Sequence, residues 1–376
     1  MNKTDVVIIG AGHNGLTCAA YLAMAGLRVK VVERRKVVGG AAVTEEFCPG
    51  FRNSVAAYTV SLLNPQIISD LKLADHGLRI VERRAQNFLP APDGSHLLTG
   101  EGRTQQSVAK LSPHDAAAIG AFSGELEAIA DVLRQFVLRA PPNLVEGFGI
   151  GAISEVFNAL GTANILRRLS LEQQRNLLDL FTRSAGEMLD ERFDNDLVKA
   201  LFGFDAIVGN YASPYAAGSA YVMLHHAFGE VNGKKGVWGH AIGGMGAITQ
   251  AMARAARSHG VEIETDAPVR EVIVENDRAT GVILDSGETV RAKYVVSNVN
   301  PKLLYTRLVP EGALAGEFRT RISRWQNGSG TFRMNVALSA LPSFTALPGP
   351  GDHLTAGIII APSLGYMDRA WRDARE

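Results

Sequence analysis

Hydrophobic and polar positions near the N-terminus follow a strand, helix, strand pattern. Residues 5–9 (DVVII) form a continuous apolar run, which is typical of a strand buried on both faces of a parallel sheet. Residues 16–25, rich in Ala and Leu, predict a helix with Gly26 as its C-cap. Residues 27–32 (LRVKVV) predict a second strand that ends at Glu33. The chain therefore begins with a predicted βαβ unit.

The middle of the chain is predicted to be mostly helical. Apolar residues recur at spacings of three and four over 115–138, which predicts a long helix with one apolar face. A capping-box pattern at Ser170 and Gln173 begins another predicted helix, which extends to about Leu189.

The pattern changes back after residue 243. The glycine-rich stretch 243–246 (GGMG) leads into a predicted helix at 247–258, and 371–376 is also predicted to be helical. Six segments between or after them predict strands: 261–264, 269–275, 279–284, 289–296, 331–338 and 357–360.

The turn inside the βαβ unit carries the first chemical signal. Gly10 permits a sharp bend, Gly12 lets the backbone approach a pyrophosphate, and Gly15 allows close packing of helix and strand. The helix N-terminus points its free amides at the phosphates. Glu33 ends the second strand, where an acid can bind a ribose diol. This spacing predicts a dinucleotide site, although a purely structural glycine turn is the alternative.

A second glycine loop bears on the choice between FAD and NAD(P). Gly39 and Gly40 follow the ribose acid by six and seven positions, and Arg34 or Arg35 could neutralise phosphate charge. A second close approach of the backbone suits the flavin side of FAD, whereas a nicotinamide cofactor rarely needs it. A flexible surface loop is the simpler interpretation.

Composition excludes several classes. Thirty-eight basic residues balance thirty-eight acidic ones, so the 376-residue chain shows no charge footprint for nucleic acid. The apolar runs are too short to span a bilayer, and no leader fits before the first strand, so we expect a cytoplasmic protein. Cys18 and Cys48 form no CxxC pair, which argues against thiol–disulfide catalysis. No metal-ligand spacing occurs, so no metal is predicted.

These motifs resemble a known group. The first glycine loop, the acid and the following GGAAVT are similar to the glutathione-reductase-type FAD superfamily, within its phytoene-desaturase-like branch. The stretches 229–238, 243–246 and 295–301 resemble the subgroup of pyridine nucleotide-disulfide oxidoreductase domain-containing protein 2 and its bacterial relatives. Members of that subgroup are longer and end in a glycine-rich segment, so we expect this chain to be C-terminally truncated. For eukaryotic members the resemblance implies the mitochondrial matrix.

The resemblance also implies a fold and a cofactor site. The fold would be α/β, with a Rossmann-like FAD/NAD(P)-binding domain and an interleaved, helix-rich α+β substrate domain. Its segments would be 1–60 (FAD-binding βαβ), 61–235 (helical substrate domain), 236–300 (return of the FAD-binding domain) and 301–376 (substrate-domain strands, incomplete at the C-terminus). The implied FAD-binding residues are Gly10, Ala11, Gly12, Asn14, Gly15, Glu33, Arg34, Gly39, Gly40, Ala41 and Val269.

A catalytic side chain is not identified by the sequence. His225, His226 and Lys235 are weak candidates, and each has a structural alternative as a packing histidine or an exposed hairpin lysine. The leading hypothesis is an FAD-dependent dehydrogenase or desaturase that takes hydride from a small organic substrate, lipophilic ones included. An NAD(P)-dependent reductase and a flavin-fold scaffold without turnover are the alternatives. A peripheral membrane contact stays open, and no protein partner is indicated.

Overall fold

The computed structural model describes residues 4–143 and 150–376. Its strands are β1 (Thr4–Ile9), β2 (Val29–Val32), β3 (Thr44–Cys48), β4 (Phe51–Ser54), β5 (Ile80–Glu82), β6 (Asn87–Pro90), β7 (His96–Leu98), β8 (Glu230–Val231), β9 (Lys234–Lys235), β10 (Gly239–Ala241), β11 (Glu262–Glu264), β12 (Val269–Glu275), β13 (Arg278–Leu284), β14 (Thr289–Ser297) and β15 (Gly357–Ile358). Its helices are α1 (His13–Met24), α2 (Pro65–Asp70), α3 (Thr104–Ala109), α4 (Pro113–Val137), α5 (Ile150–Arg167), α6 (Leu171–Thr182), α7 (Ala185–Asp190), α8 (Asp196–Ile207), α9 (Leu224–Phe228), α10 (Gly246–Ser258), α11 (Pro301–Leu303), α12 (Gly316–Ser323) and α13 (Leu364–Asp373).

The largest sheet has six strands in the order β11-β2-β1-β14-β13-β12. The first four are parallel, and β14, β13 and β12 continue as an antiparallel meander. Strand β1 lies between β2 and β14, and Val6 to Ile9 are all buried. Burial on both faces explains the uninterrupted apolar run of this strand. The predicted βαβ unit is therefore confirmed.

Helices α1 and α10 cover one face of the parallel strands. Their contact is made by small side chains, with Ala19 and Ala20 on α1 and Ala251 and Ala255 on α10 all fully buried. Small residues let two helices approach closely, so both helices fit over the same strands. The glycine-rich turns at the start of each helix are thereby brought to the same end of the sheet.

A second core lies in the helix-rich part of the chain. It joins residues of α4, α6, α7 and α8 to the strands β6 and β7 and to the C-terminal helix α13. Phe122 meets Phe193 and Phe202 edge-on, at centroid distances of 5.4 and 5.0 Å. These elements interrupt the sheet-forming segments along the chain, so the expected α/β fold with an interleaved helix-rich part is confirmed.

The helix predicted from Ser170 to Leu189 is wrong in extent, because it is two helices. The capping box of Ser170 begins α6 as expected, but α6 ends at Thr182. Arg183 adopts an extended conformation, and the Ser184 hydroxyl accepts a hydrogen bond from the Glu187 amide to start α7. A serine that can cap a new helix competes with continuation of the old one.

The strand predicted over 331–338 does not form. Arg333 and Asn335 are tied to the β3–β4 hairpin, where Arg333 donates to the Ser54 carbonyl at 2.9 Å and Asn53 donates to Asn335 at 3.2 Å. The alternate side chains, such as Phe332, face solvent. Alternation of exposed and less exposed residues is therefore present without a strand, because these contacts involve side chains and no described strand forms a backbone ladder with this segment.

Two other C-terminal predictions need smaller corrections. The strand predicted at 357–360 is limited to β15, which pairs in parallel with β6 over two residues. The C-terminal helix begins at Leu364, earlier than expected, because Ser363 caps it by accepting from the Tyr366 amide, and it ends at Asp373. Across the described ranges, no helix combines the length and the apolarity needed to cross a bilayer.

Candidate functional site

The first glycine loop forms the sharp turn between β1 and α1. Gly10 has a φ of +99°, a region that glycine adopts without the steric cost of a side chain. A Cβ atom placed on Gly15 would lie 2.2 Å from the carbonyl oxygen of Gly10. Both positions therefore need glycine to make the turn itself.

Gly12 differs from these two, because its backbone would tolerate a side chain. It is the N-cap of α1 with φ −72°, and a Cβ there would meet nothing closer than 3.9 Å. No side chain caps α1 and no acid lies in its first turn, while Asn14 in that turn is exposed. A helix end with unused amides is suited to an anion.

The Glu33 carboxylate is held against this turn. It is only 5% exposed, and one oxygen accepts a hydrogen bond from the Ala11 amide at 2.8 Å. The other oxygen accepts from the Arg35 amide at 3.0 Å. A carboxylate has about four acceptor sites, so two backbone bonds fix its orientation and leave capacity for a diol. The acid therefore faces the crevice beside the first glycine loop.

The second glycine loop packs directly on the first. The Gly39 amide donates to the Ala11 carbonyl at 2.9 Å, and a Cβ on Gly40 would lie 3.1 Å from the Cα of Gly12. Gly39 and Gly40 both have positive φ, at +141° and +55°. The loop is therefore a turn packed on the first glycine loop, which favours a close backbone approach over the flexible-loop interpretation. Arg34 and Ala41 are exposed on either side of it.

A third glycine-rich segment, the GGMG turn at 243–246, completes this arrangement. The Thr44 hydroxyl accepts from the Gly246 amide at 2.8 Å, and the Ser54 hydroxyl accepts from the Met245 amide at 2.9 Å. A Cβ on Gly39 would lie 3.1 Å from the Thr249 hydroxyl of α10. Sequence reasoning singled out both glycine motifs but did not foresee that they touch.

Val269 lies where the chain returns beside the ribose acid. The Ala267 amide donates to the Glu33 carbonyl at 2.9 Å, and the Asp266 amide donates to the Arg35 carbonyl at 2.9 Å. Val269 then begins β12, in register with Leu284 of β13. Val269 therefore lies two residues after a segment that hydrogen-bonds to the backbone of Glu33 and Arg35.

Comparison with known proteins decides between the cofactor classes. The family model described as flavin containing amine oxidoreductase matches residues 15–331. The chain belongs to this family. The prediction of a flavin-dependent protein with FAD as its cofactor is therefore confirmed for the family. The family match does not support the alternative of a purely nicotinamide-dependent reductase. The family match begins at Gly15. The predicted cofactor-binding role of Gly10 and Gly12 is therefore supported only by the geometry described above.

Individual relatives of this flavoprotein family agree with the resemblance stated above. The chain is 37% identical over 362 residues to rat pyridine nucleotide-disulfide oxidoreductase domain-containing protein 2, covering 93% of this chain and 62% of that protein. It is 25% identical over 312 residues to 4,4'-diaponeurosporene oxygenase of Staphylococcus aureus, covering 81% and 57% of the two chains. The chain thus spans less than two thirds of the length of these relatives.

Solved structures show the same fold. A triple mutant of putrescine oxidase aligns with a TM-score of 0.52 at 22% identity, over 83% of this chain and 62% of that chain. At this identity the similarity concerns the fold alone. It agrees with the parallel sheet and the interleaved helix-rich part of this family member.

The catalytic candidates keep their status as predictions. Lys235 lies in the β8–β9 hairpin and forms an ion pair with Asp131 at 2.7 Å, an interaction that suits a structural role. His225 and His226 belong to α9, but their side chains lie outside the described part of the structure.

One cluster that sequence reasoning did not assemble surrounds Arg83, just after β5. Its Nε donates to His240 Nε2 at 3.2 Å, and its guanidinium lies over the Trp238 ring at 5.5 Å. Burial, followed by the positive charge of Arg83, lowers the pKa of His240 from its usual value. His240 belongs to β10, the strand that leads towards the GGMG turn, and Trp238 directly precedes that strand.

A group of potential metal ligands also occurs in the described residues, at His114, Asp115 and Asp194. The buried Asp115 carboxylate accepts from the amides of Asp194 and Asn195 at 2.9 and 2.8 Å. These bonds connect the start of α4 to the start of α8. The cluster therefore has a structural explanation, and the absence of a metal stays a prediction.

Proposed function

We propose that this chain binds FAD in the crevice between its two glycine loops and oxidises a small organic substrate, lipophilic compounds included. The observation that carries the proposal is the direct packing of Gly40 on Gly12 beside the anchored Glu33 carboxylate. A single glycine turn next to an acid is suited to binding any dinucleotide. A second glycine turn packed on the first provides another close backbone approach, which suits the flavin side of FAD.

The residues present fit such a cofactor. The unused amides at the start of α1, including the region of Gly12 and Asn14, would hold the diphosphate. Glu33 would accept the ribose hydroxyls, and the exposed Arg34 would lie near phosphate charge. The backbone around Val269 would meet the adenine side.

When bound, FAD supplies a two-electron acceptor for hydride. The chain's own contribution is to bind and orient both partners and to exclude water. Residues 1–60 and 236–300 are proposed to hold the cofactor, and 61–235 with 301–376 to shape the substrate side. His225, His226 and Lys235 remain proposed candidates for moving a proton.

The test is a titration of the purified chain with FAD, followed by flavin fluorescence and calorimetry, with NADH titrated in parallel. We expect FAD to bind more tightly than NADH. Gly12→Ala should weaken FAD about tenfold or more, equivalent to ~1.4 kcal/mol, because the added methyl group meets the diphosphate and nothing in the protein.

Gly124→Ala, an open position on α4, is the matched control and should leave FAD affinity unchanged. The proposal fails if the chain does not bind FAD, if NADH binds more tightly, or if Gly12→Ala binds FAD like the unmodified chain.

A further inference from the structure

Arg83 is a half-buried cation without an acidic partner among the described residues. Its Nε–H is used by His240, and one Nη1–H makes a long contact of 3.4 Å to the Gln86 carbonyl. Arginine has five N–H donors, so three of them, including both on Nη2, have no described protein acceptor. Burial lowers the pKa of Arg83 from its usual value.

The acids around Arg83 are already engaged elsewhere. Glu82 pairs with Lys234 at 2.9 Å. Asp352 pairs with Arg103 at 3.1 Å and lies 3.9 Å from Arg84. A cation that is partly removed from water needs compensation by an anion or a set of acceptors. The described part of the chain supplies neither an anion nor a set of acceptors for the three unused N–H donors of Arg83.

Aromatic rings border the same position. Trp238 lies under the guanidinium of Arg83, and the ring of Tyr58 lies nearby. A second guanidinium, that of Arg333, lies 5.1 Å from the Tyr58 ring and also has no carboxylate partner among the described residues. The surroundings therefore hold two cations, Arg83 and Arg333, with aromatic rings beside them.

This cluster adjoins the proposed flavin crevice. Strand β10, which carries His240, is followed directly by the GGMG turn that packs on the second glycine loop. Tyr58 lies four residues after Ser54, whose hydroxyl holds the Met245 amide of that turn. A molecule bound at Arg83 would thus lie on the substrate side of the glycine loops.

We propose that Arg83 recognises a carboxylate group of the substrate. A planar guanidinium fork matches a carboxylate through two parallel hydrogen bonds, and the flanking aromatic rings suit an apolar body attached to it. The inference rests on the proposed function in one respect: the bound molecule is the substrate only if the chain is an oxidoreductase. Binding of the carboxylate itself requires only Arg83 and its neighbours. The substrate class is therefore an organic acid with an apolar portion.

The experiment titrates hexanoate into the chain, with and without FAD, and follows tryptophan fluorescence and heat. Hexanamide has the same shape without the charge and is the ligand control. We expect saturable binding of hexanoate and no comparable binding of hexanamide. Trp238→Phe should remove most of the fluorescence response while the calorimetric binding persists, which places the ligand beside Trp238.

Arg83→Gln should weaken hexanoate about 10- to 100-fold, the usual effect of losing a charge-assisted bidentate pair. Arg83→Lys keeps the charge but lacks the fork, so it should give an intermediate loss. Arg84→Gln, one residue away on an exposed side chain, is the matched control and should bind hexanoate like the unmodified chain. Urea unfolding of each variant verifies that it is folded.

Three results would overturn the inference: equal binding of hexanoate and hexanamide, an unchanged affinity in Arg83→Gln, or tighter binding of inorganic phosphate than of hexanoate. Failure of the proposed function looks different. Hexanoate binding that depends on Arg83 in a chain unable to bind FAD would support the anion site and refute the flavin proposal. Normal FAD binding without hexanoate binding would refute the anion site alone.

Discussion

The hydroxyl of Thr44 accepts a hydrogen bond from the Gly246 amide at 2.8 Å, across 202 residues of sequence. This bond fastens the second glycine loop to the start of α10, whose own residues pack on α1. A Cβ on Gly246 would lie 2.8 Å from the Thr44 amide nitrogen, so the two backbones are in close contact. The cofactor crevice therefore depends on a long-range polar contact as well as on the local fingerprint.

Thr44→Val should destabilise the chain by about 1–3 kcal/mol, because the part-buried Gly246 amide loses its acceptor while the side-chain shape is preserved. Urea unfolding measures the effect. Thr320→Val is the control, since the exposed Thr320 hydroxyl only donates to the Gly316 carbonyl one turn earlier in α12. Equal unfolding midpoints for the two variants would show that the Thr44 contact does not stabilise the fold.

Gly15→Ala tests the geometry of the first loop. The new methyl group would lie 2.2 Å from the Gly10 carbonyl oxygen, so either the turn opens or α1 shifts. We expect a loss of roughly 1–3 kcal/mol in the free energy of unfolding, as for other overpacked sites.

Gly12→Ala is the matched comparison for stability, because its Cβ has no neighbour closer than 3.9 Å. It should unfold within about 0.5 kcal/mol of the unmodified chain. If both alanine variants were equally stable, the distinction between a turn glycine and a ligand-facing glycine would be incorrect.

Local spacing explains why the βαβ unit was predictable and the assembled site was not. Gly10, Gly15 and Glu33 owe their roles to the turn and to the strand end, both of which can be counted along the sequence. The partnership of Thr44 with Gly246 depends on how α10 returns to the sheet, which no short-range pattern encodes. The unpaired state of Arg83 likewise depends on which acids the fold assigns to other cations.

The same reasoning explains the error over 331–338. Alternation of apolar and polar residues predicts a strand, but a strand also needs a partner backbone, and this segment has none among the described strands. The helix break at Arg183 is similar, because the apolar period continues through it. The local Ser184 cap and the hydrogen bond from the Ala185 amide to the Ser219 hydroxyl favour a second helix.

The segment 331–338 should promote association at high protein concentration. Phe332, Met334, Val336 and Leu338 are all exposed, at 90, 69, 55 and 54%, on a segment without a described ladder partner. Such a row is a template for pairing with another chain. Met334→Lys should reduce association in light scattering and leave the unfolding midpoint unchanged. Leu171→Lys, at a side chain that is 83% exposed on α6, serves to test whether any added surface charge has an equal effect.

His240 should contribute a defined acid dependence to stability. Burial and, after it, the charge of Arg83 lower the pKa of His240 in the folded state. The unfolded chain therefore takes up this proton first, as pH falls below about 6.5, and the folded state loses stability from there down to its own lower pKa. One proton can change the slope by at most about 1.4 kcal/mol per pH unit.

His240→Gln should flatten this part of the curve of unfolding free energy against pH, since glutamine can still accept from Arg83 but does not titrate. The exposed His259→Gln is the control and should keep the slope of the unmodified chain. Parallel curves for the unmodified chain and His240→Gln between about pH 6.5 and 5 would mean that His240 takes up its proton equally in both states. In that case the pKa of His240 would not be lowered on folding, and neither burial nor the charge of Arg83 would act on its imidazole.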